Sequence, residues 1–152
     1  MAKNFIIIVV LVIVAVIIYR QFFHLTPTDS MSLKIKNKIY QLEIARTTAQ
    51  HSQGLMNRPT LCPDCGMIFV FSFESPQMFW MKNTQIPLDI IFLDKNGQVI
   101  NIENATPAPG VSDFNLPLYK STSPAQYVIE LNAGDSQQLK LIPGDKIKLP
   151  QF

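Results

Sequence analysis

Two cysteines stand in the stretch Cys62-Pro63-Asp64-Cys65, a spacing that suits a redox pair, a shared metal or a disulfide. A reactive thiol needs its thiolate stabilised by a helix N-terminus or a cation, whereas here Asp64 lies between the cysteines and a strand-like run follows. A structural zinc site needs four ligands, and the chain adds only His24 and His51, with His24 next to an apolar leader. Outside the cytoplasm the pair is expected to form a disulfide that staples the turn before Met67, contributing about 2 kcal/mol through loop entropy. Free thiols are the alternative.

Met56, Met67, Met78 and Met81, together with Cys62 and Cys65, could offer soft sulfur ligands to copper(I) or zinc, although core packing is the ordinary role of methionine. Acid-base chemistry would centre on Asp89, which shares a strand face with Ile91 and Leu93 in Pro87-Leu88-Asp89-Ile90-Ile91-Phe92-Leu93. A buried carboxylate is costly unless paired and hydrogen-bonded, so Asp89 is expected to meet Arg58, Lys82, Asn83 or Thr84. Asp89, Lys82 and Arg58 are therefore the candidate catalytic set of a hydrolase-type site, with structural ion pairing as the competing explanation. Glu130 raises the same burial question, and Trp80, Asn83, Thr84 and Glu130 are the candidate ligand contacts. No Ser or Cys is accompanied by a convincing His and acid, and neither a Gly-rich phosphate loop nor a His-x-x-x-His motif occurs. The pattern implies no cofactor.

The elements that must position these residues read as strands. Alternation predicts strands over residues 33–36 and 40–44, with a turn at 36–38, and runs of which several are rich in β-branched and aromatic residues predict further strands at 67–73, 78–82, 88–93, 98–102, 126–131 and 146–149. Thr47 with Gln50 fits a capping box, and Gly54 offers a stop, which predicts a short helix over Thr48–Gln53. Asn96-Gly97 predicts a hairpin joining 88–93 to 98–102. Residues 106–124 carry Pro107, Pro109, Gly110, Pro117 and Pro124 and are expected to form one long loop, a possible lid. Short strands without helix-strand alternation point to a mainly β fold, a compact antiparallel sandwich or barrel-like domain with one short helix.

Residues 5–18 contain only Phe, Ile, Val, Leu and Ala, which alone falls short of the roughly 20 residues a bilayer needs. Tyr19, Phe22, Phe23 and Leu25 extend the apolar surface, and Arg20 can snorkel, so a transmembrane helix over about 5–25 is expected within an anchor of residues 1–25. An uncleaved signal-anchor is favoured because no Ala-x-Ala pattern follows; secretion after signal-peptide cleavage is the alternative. Residues 26–32 then form a linker and residues 33–150 the domain, on the extracytoplasmic side. Lys34, Lys36 and Lys38 read as a solvated strand face. The net charge of only +2 over 152 residues gives no broad attraction for nucleic acid.

The ordered motifs Gly54-Leu55-Met56-Asn57-Arg58, Gly66-Met67-Ile68-Phe69, Phe79-Trp80-Met81-Lys82-Asn83-Thr84, Pro87-Leu88-Asp89-Ile90-Ile91-Phe92, Asp94-Lys95-Asn96-Gly97, Tyr127-Val128-Ile129-Glu130-Leu131-Asn132-Ala133-Gly134 and Gly144-Asp145 resemble the domain of unknown function 192. The resemblance implies a small, mostly β prokaryotic domain, commonly behind a signal peptide or membrane anchor, with no established reaction or ligand. The cysteine pair departs from the family pattern, which does not require it. Together these readings describe a membrane-anchored β domain whose partners are the lipid bilayer and an unidentified small molecule or protein. Binding or assembly is the favoured role, ahead of hydrolysis or soft-metal binding.

Overall fold

The structure, a computed structural model, describes residues 29–152. The anchor expected at residues 5–25 lies outside them. The first strand, β1 (Ser30–Ile35), begins three residues before the expected Leu33 and turns through Lys36, in left-handed backbone (φ 54°), into β2 (Lys38–Ala45). The helix α1 (Thr48–Gln53) carries the capping box: Thr47 Oγ1 accepts from Gln50 N–H, and Gln50 Oε1 accepts from Thr47 N–H at 3.0 Å. Then follow β3 (Cys65–Ser75), β4 (Met78–Trp80), β5 (Leu88–Leu93), β6 (Val99–Ala105), β7 (Leu118–Lys120), β8 (Ala125–Asn132) and α2 (Asp135–Gln138).

Six of these strands form one open sheet in the order β1-β2-β3-β8-β5-β6, and β4 pairs with β7 as a separate two-stranded ribbon. The sheet stays open, so the barrel-like alternative is not realised. It is also mixed: β2 and β3 run parallel where antiparallel pairing throughout was the expectation. The reason is the connection. α1 and residues 54–64 carry the chain back to the start of the sheet, as a parallel pair requires, whereas tight hairpins join β1 to β2 and β5 to β6.

Both faces of the sheet are covered. On one face Leu33, Tyr40, Leu42, Ile68, Ile91, Ile129 and Leu131 pack under Leu139, Leu141 and Ile147 from the C-terminal segment. On the other, Met67, Phe69, Ile90, Phe92 and Val128 pack beneath Leu55, Met81 and Ile86, with Phe79 and Tyr119 from the inner side of the ribbon. β5 is buried at all six positions, which explains its almost unbroken apolar sequence. The strand expected at 146–149 reduces to a single bridge between Gln98 and Lys146. There the chain presses on Gly97, whose φ of 77° suits glycine and where a Cβ would strike the Ile147 carbonyl oxygen. The long loop is more ordered than its prolines suggest, since a 3-10 turn at Asp113–Asn115 and strand β7 lie within it.

Candidate functional site

A cavity of about 360 Å³ opens at the end of the sheet where β5 begins and β6 ends. Asn57, Asn83, Thr84 and Gln85 line one side of it, and Pro107, Val111, Asp113 and Leu116 from the long loop line the other, with Met81 between them. Two of the asparagines hold left-handed backbone, Asn57 at φ 60° and Asn83 at φ 50°. Asparagine tolerates this conformation better than other residues with a Cβ. The two are joined where Asn57 N–H donates to the Asn83 carbonyl at 2.8 Å, and Thr84 N–H closes the second turn onto the Met81 carbonyl at 3.2 Å. The residues after Gly54 and those after Trp80 thus fix each other at the cavity wall. Their carboxamides and hydroxyl can both donate and accept hydrogen bonds.

Lys82 lies at the rim, paired with Asp113 at 2.5 Å and 5.3 Å from the centre of the Trp80 ring. That ion pair ties the long loop to the ribbon and leaves the rim without net charge. A second hollow of about 390 Å³, lined by Asp94, Gln98 to Ile100, Thr122 to Pro124, Pro143 and Gly144, is wider open. Its acidic member is already committed to a turn, because Asp94 Oδ1 accepts from Asn96 and Gln98 N–H, both at 2.8 Å.

Behind the cavity, strand register sets a row of side chains across one sheet face: Glu43 is opposite Met67, Met67 opposite Glu130, Glu130 opposite Ile90, and Ile90 opposite Glu103. Arg58, next to Asn57, grips Glu43 with both guanidinium nitrogens, the longer contact 2.7 Å. Hydrogen bonding to Glu43 raises the Arg58 pKa above its ordinary value. Glu130 is 5 % exposed, and its Oε2 has no hydrogen-bond partner among the described residues. Burial pushes its carboxyl up to about 8, against a smaller downward pull from Arg58. Glu130 is therefore largely protonated at neutral pH.

The candidate catalytic residues are not brought together. Asp89 lies on the opposite sheet face and is fully buried. It accepts from Asn104 Nδ2 at 2.6 Å, Gly134 N–H at 3.1 Å, Ser136 N–H at 2.8 Å and Ser136 Oγ at 2.5 Å. None of the expected partners, Arg58, Lys82, Asn83 or Thr84, is among these donors. Hydrogen bonds from a neighbouring strand and the start of α2 satisfy the Asp89 oxygens, so Asp89 fastens α2 to the sheet. Lys82 and Arg58 are each held by a different acid.

The sulfurs also part company. Cys62 and Cys65 are joined in a disulfide with Cα atoms 5.1 Å apart. Met67 and Met81 belong to the apolar cluster under the ribbon, while Met78 is exposed on the ribbon and Met56 is only partly buried. Lys38 does not sit on a freely solvated face, since it pairs with Asp64 at 3.0 Å and Asp135 at 3.5 Å. Lys36 pairs with Asp145 at 2.7 Å. Of the candidate ligand contacts, Asn83 and Thr84 line the cavity, Trp80 stands on the ribbon beside its rim, and Glu130 lies in the buried row.

Sequence reasoning passed over Glu43, Asn57, Gln85 and Asp113. Glu43 looks like any outward strand residue until Arg58 is placed over it.

Residues 31–149 match the model of the family described as Uncharacterized ACR, the domain of unknown function 192. The chain belongs to this family. A protein of unknown function from Novosphingobium aromaticivorans is 32% identical, and the match covers 83% of this chain and 89% of that one with a TM-score of 0.73. A protein from Sinorhizobium meliloti described as "a putative transcription regulator" is 36% identical, covering 78% of this chain and 90% of that one with a TM-score of 0.66. No curated protein matches the chain. The matched residues take in the ribbon, the cavity walls and all of the open sheet except Ser30 at the start of β1.

Proposed function

We propose that this chain is a membrane-anchored extracytoplasmic binding module and that its ligand occupies the cavity between residues 81–85 and 107–116. The observation that carries the reading is the pair of left-handed asparagines, Asn57 and Asn83, locked to each other at the wall of a hollow with an apolar floor. Backbone held in sparsely populated conformations is concentrated at ligand sites, where the surrounding structure maintains it. Carboxamides over an apolar floor, beside a neutralised rim, suit an uncharged ligand that hydrogen-bonds along one side, such as a sugar ring or a peptide backbone. The apolar leader at residues 5–25 supports anchoring, and the Cys62–Cys65 disulfide supports an oxidising compartment. The regulator description of the Sinorhizobium protein is not carried over, because a net charge of +2 gives little pull on a phosphate backbone.

The test is a titration of the isotope-labelled chain with neutral oligosaccharides and short peptides, following the side-chain amide resonances of Asn57, Asn83 and Gln85. One ligand class is expected to shift all three together. Shifts confined to other parts of the domain, or saturation that leaves these resonances in place, would refute the assignment.

A further inference from the structure

The exposed apolar residues of the ribbon are not scattered. Register places Met78 opposite Lys120 and Trp80 opposite Leu118, so these side chains share the outer face while Phe79 and Tyr119 pack inward. Met78 is 58% exposed, Trp80 42% and Leu118 50%. Phe73, on the overhanging end of β3, adds a side chain 72% exposed. At the other end of the ribbon, the turn bound to it through Lys82 and Asp113 carries Phe114, which is fully exposed. Large apolar side chains exposed on and at both ends of one ribbon mark an interaction surface.

Its position identifies the partner. β1 runs antiparallel to β2 with Ser30 opposite Glu43, and β2 runs parallel to β3 with Ala45 opposite Phe69, so the chain enters the domain at the sheet end where β3 overhangs. Phe73 lies on that overhang. Gln77, whose N–H donates to Ser121 Oγ at 2.9 Å, then leads directly into Met78. From Leu25, the last residue of the apolar leader, five peptide links reach Ser30, a span of at most about 18 Å. The strip thus begins at the end of the domain that the leader holds.

We propose that the outer face of the β4–β7 ribbon, with Phe73 and Phe114, lies against the lipid bilayer and seats the domain sideways on it. The inference rests on the anchored reading above. Trp80 suits the boundary because its ring is apolar and its N–H can face headgroups, while Lys120 can extend along the apolar surface toward phosphates. The neighbouring charges largely cancel: Lys82 pairs with Asp113 at 2.5 Å, and Lys95 pairs with Glu74 at 3.5 Å beside Phe73. Apolar insertion rather than charge therefore drives the contact, and zwitterionic lipid suffices.

Trp80 is the sole tryptophan of the chain and reports on this face directly. The experiment reconstitutes the full chain into phosphatidylcholine vesicles, some prepared with lipid brominated near the top of the acyl chains. Sedimentation after alkaline carbonate extraction checks the anchor separately. Brominated lipid is expected to lower Trp80 emission about twofold, independent of salt. Combined Phe73→Ser, Met78→Ser and Leu118→Ser substitutions should abolish that quenching. A second chain carrying Trp80→Phe with Phe73→Trp moves the reporter along the strip without removing apolar surface, and its emission should fall as well. If the chain sediments with vesicles but Trp80 answers to aqueous acrylamide and not to brominated lipid, the contact is overturned while the anchor stands. Shielding of Trp80 from both quenchers would assign the face to a protein and overturn the lipid proposal. A chain that carbonate releases from the vesicles would overturn the anchored reading, and this inference with it.

Discussion

Glu130 makes the domain's stability depend on pH in the direction opposite to an ordinary salt-bridged carboxylate. It is buried between Met67 and Ile90, and burial raises its pKa from 4.5 to about 8. Below pH 4.5 the folded and unfolded chains both hold the proton, and Glu130 costs nothing through ionisation. Between 4.5 and about 8 the unfolded chain releases the proton while the folded chain retains it, so stability falls as pH rises. A tenfold change in proton affinity corresponds to about 1.4 kcal/mol, so the loss is about 3 kcal/mol at pH 7 and approaches about 5 kcal/mol above pH 8. Glu130→Gln keeps the shape and cannot ionise. The perturbation is best measured by urea unfolding of the chain from Asp29 onward, followed by Trp80 fluorescence at pH 4, 6 and 8. The variant should match the parent to within about 1 kcal/mol at pH 4 and exceed it by at least about 2 kcal/mol at pH 8. Arg58→Met removes the nearby cation and should move the parent's titration to still higher pH. Parallel pH profiles for parent and Glu130→Gln would show that the folded carboxyl titrates normally, and the account of the buried row would be wrong.

Asp89→Ala leaves Ser136, Gly134 and Asn104 donors unsatisfied in the interior and is expected to cost about 3 to 5 kcal/mol in chemical denaturation; a cost under about 1 kcal/mol would mean that water replaces the carboxylate. Replacing Cys62 and Cys65 together by Ser should lower stability by about 2 kcal/mol, and the difference should vanish when both proteins are melted in reductant. At Asn83, glycine should be accepted by the left-handed backbone while alanine costs about 1 kcal/mol, yet both should lose the ligand; retained binding in Asn83→Gly would remove the carboxamide from the site.

The fold was legible wherever one residue's neighbours in sequence determine its conformation. Thr47 and Gln50 announced the helix, Asn96-Gly97 announced the β5–β6 hairpin, and alternation announced β1 and β2. What stayed hidden was set by distant partners. The parallel β2–β3 pairing depends on how residues 54–64 cross the sheet, which their composition does not encode. The same cause accounts for Asp89. Its need for partners was plain from its apolar surroundings, but Arg58, Lys82, Asn83 or Thr84 were the expected ones, and Ser136 is unremarkable in sequence until α2 folds back onto β5. At the cavity, Asn83 and Thr84 stand in the recognisable motif Phe79-Trp80-Met81-Lys82-Asn83-Thr84. Asn57 and Gln85 belong to the same wall through a backbone hydrogen bond and a turn that no spacing rule reveals.

The 3-10 turn at Asp113–Asn115 joins the two proposed surfaces. Asp113 lines the cavity and holds Lys82, while the next residue, Phe114, is the fully exposed end of the ribbon strip. A bilayer that immobilises Phe114 therefore also fixes one cavity wall. Ordering that wall before the ligand arrives removes an entropic cost otherwise incurred on binding, and immobilising a side chain is worth about 1 kcal/mol. A ligand found by the amide titration should accordingly bind the vesicle-embedded full chain severalfold more tightly than the chain beginning at Asp29. Phe114→Ser should erase that advantage without weakening binding to the shorter chain. Equal affinities in lipid and in solution would separate the two surfaces and leave the turn as a rim element only.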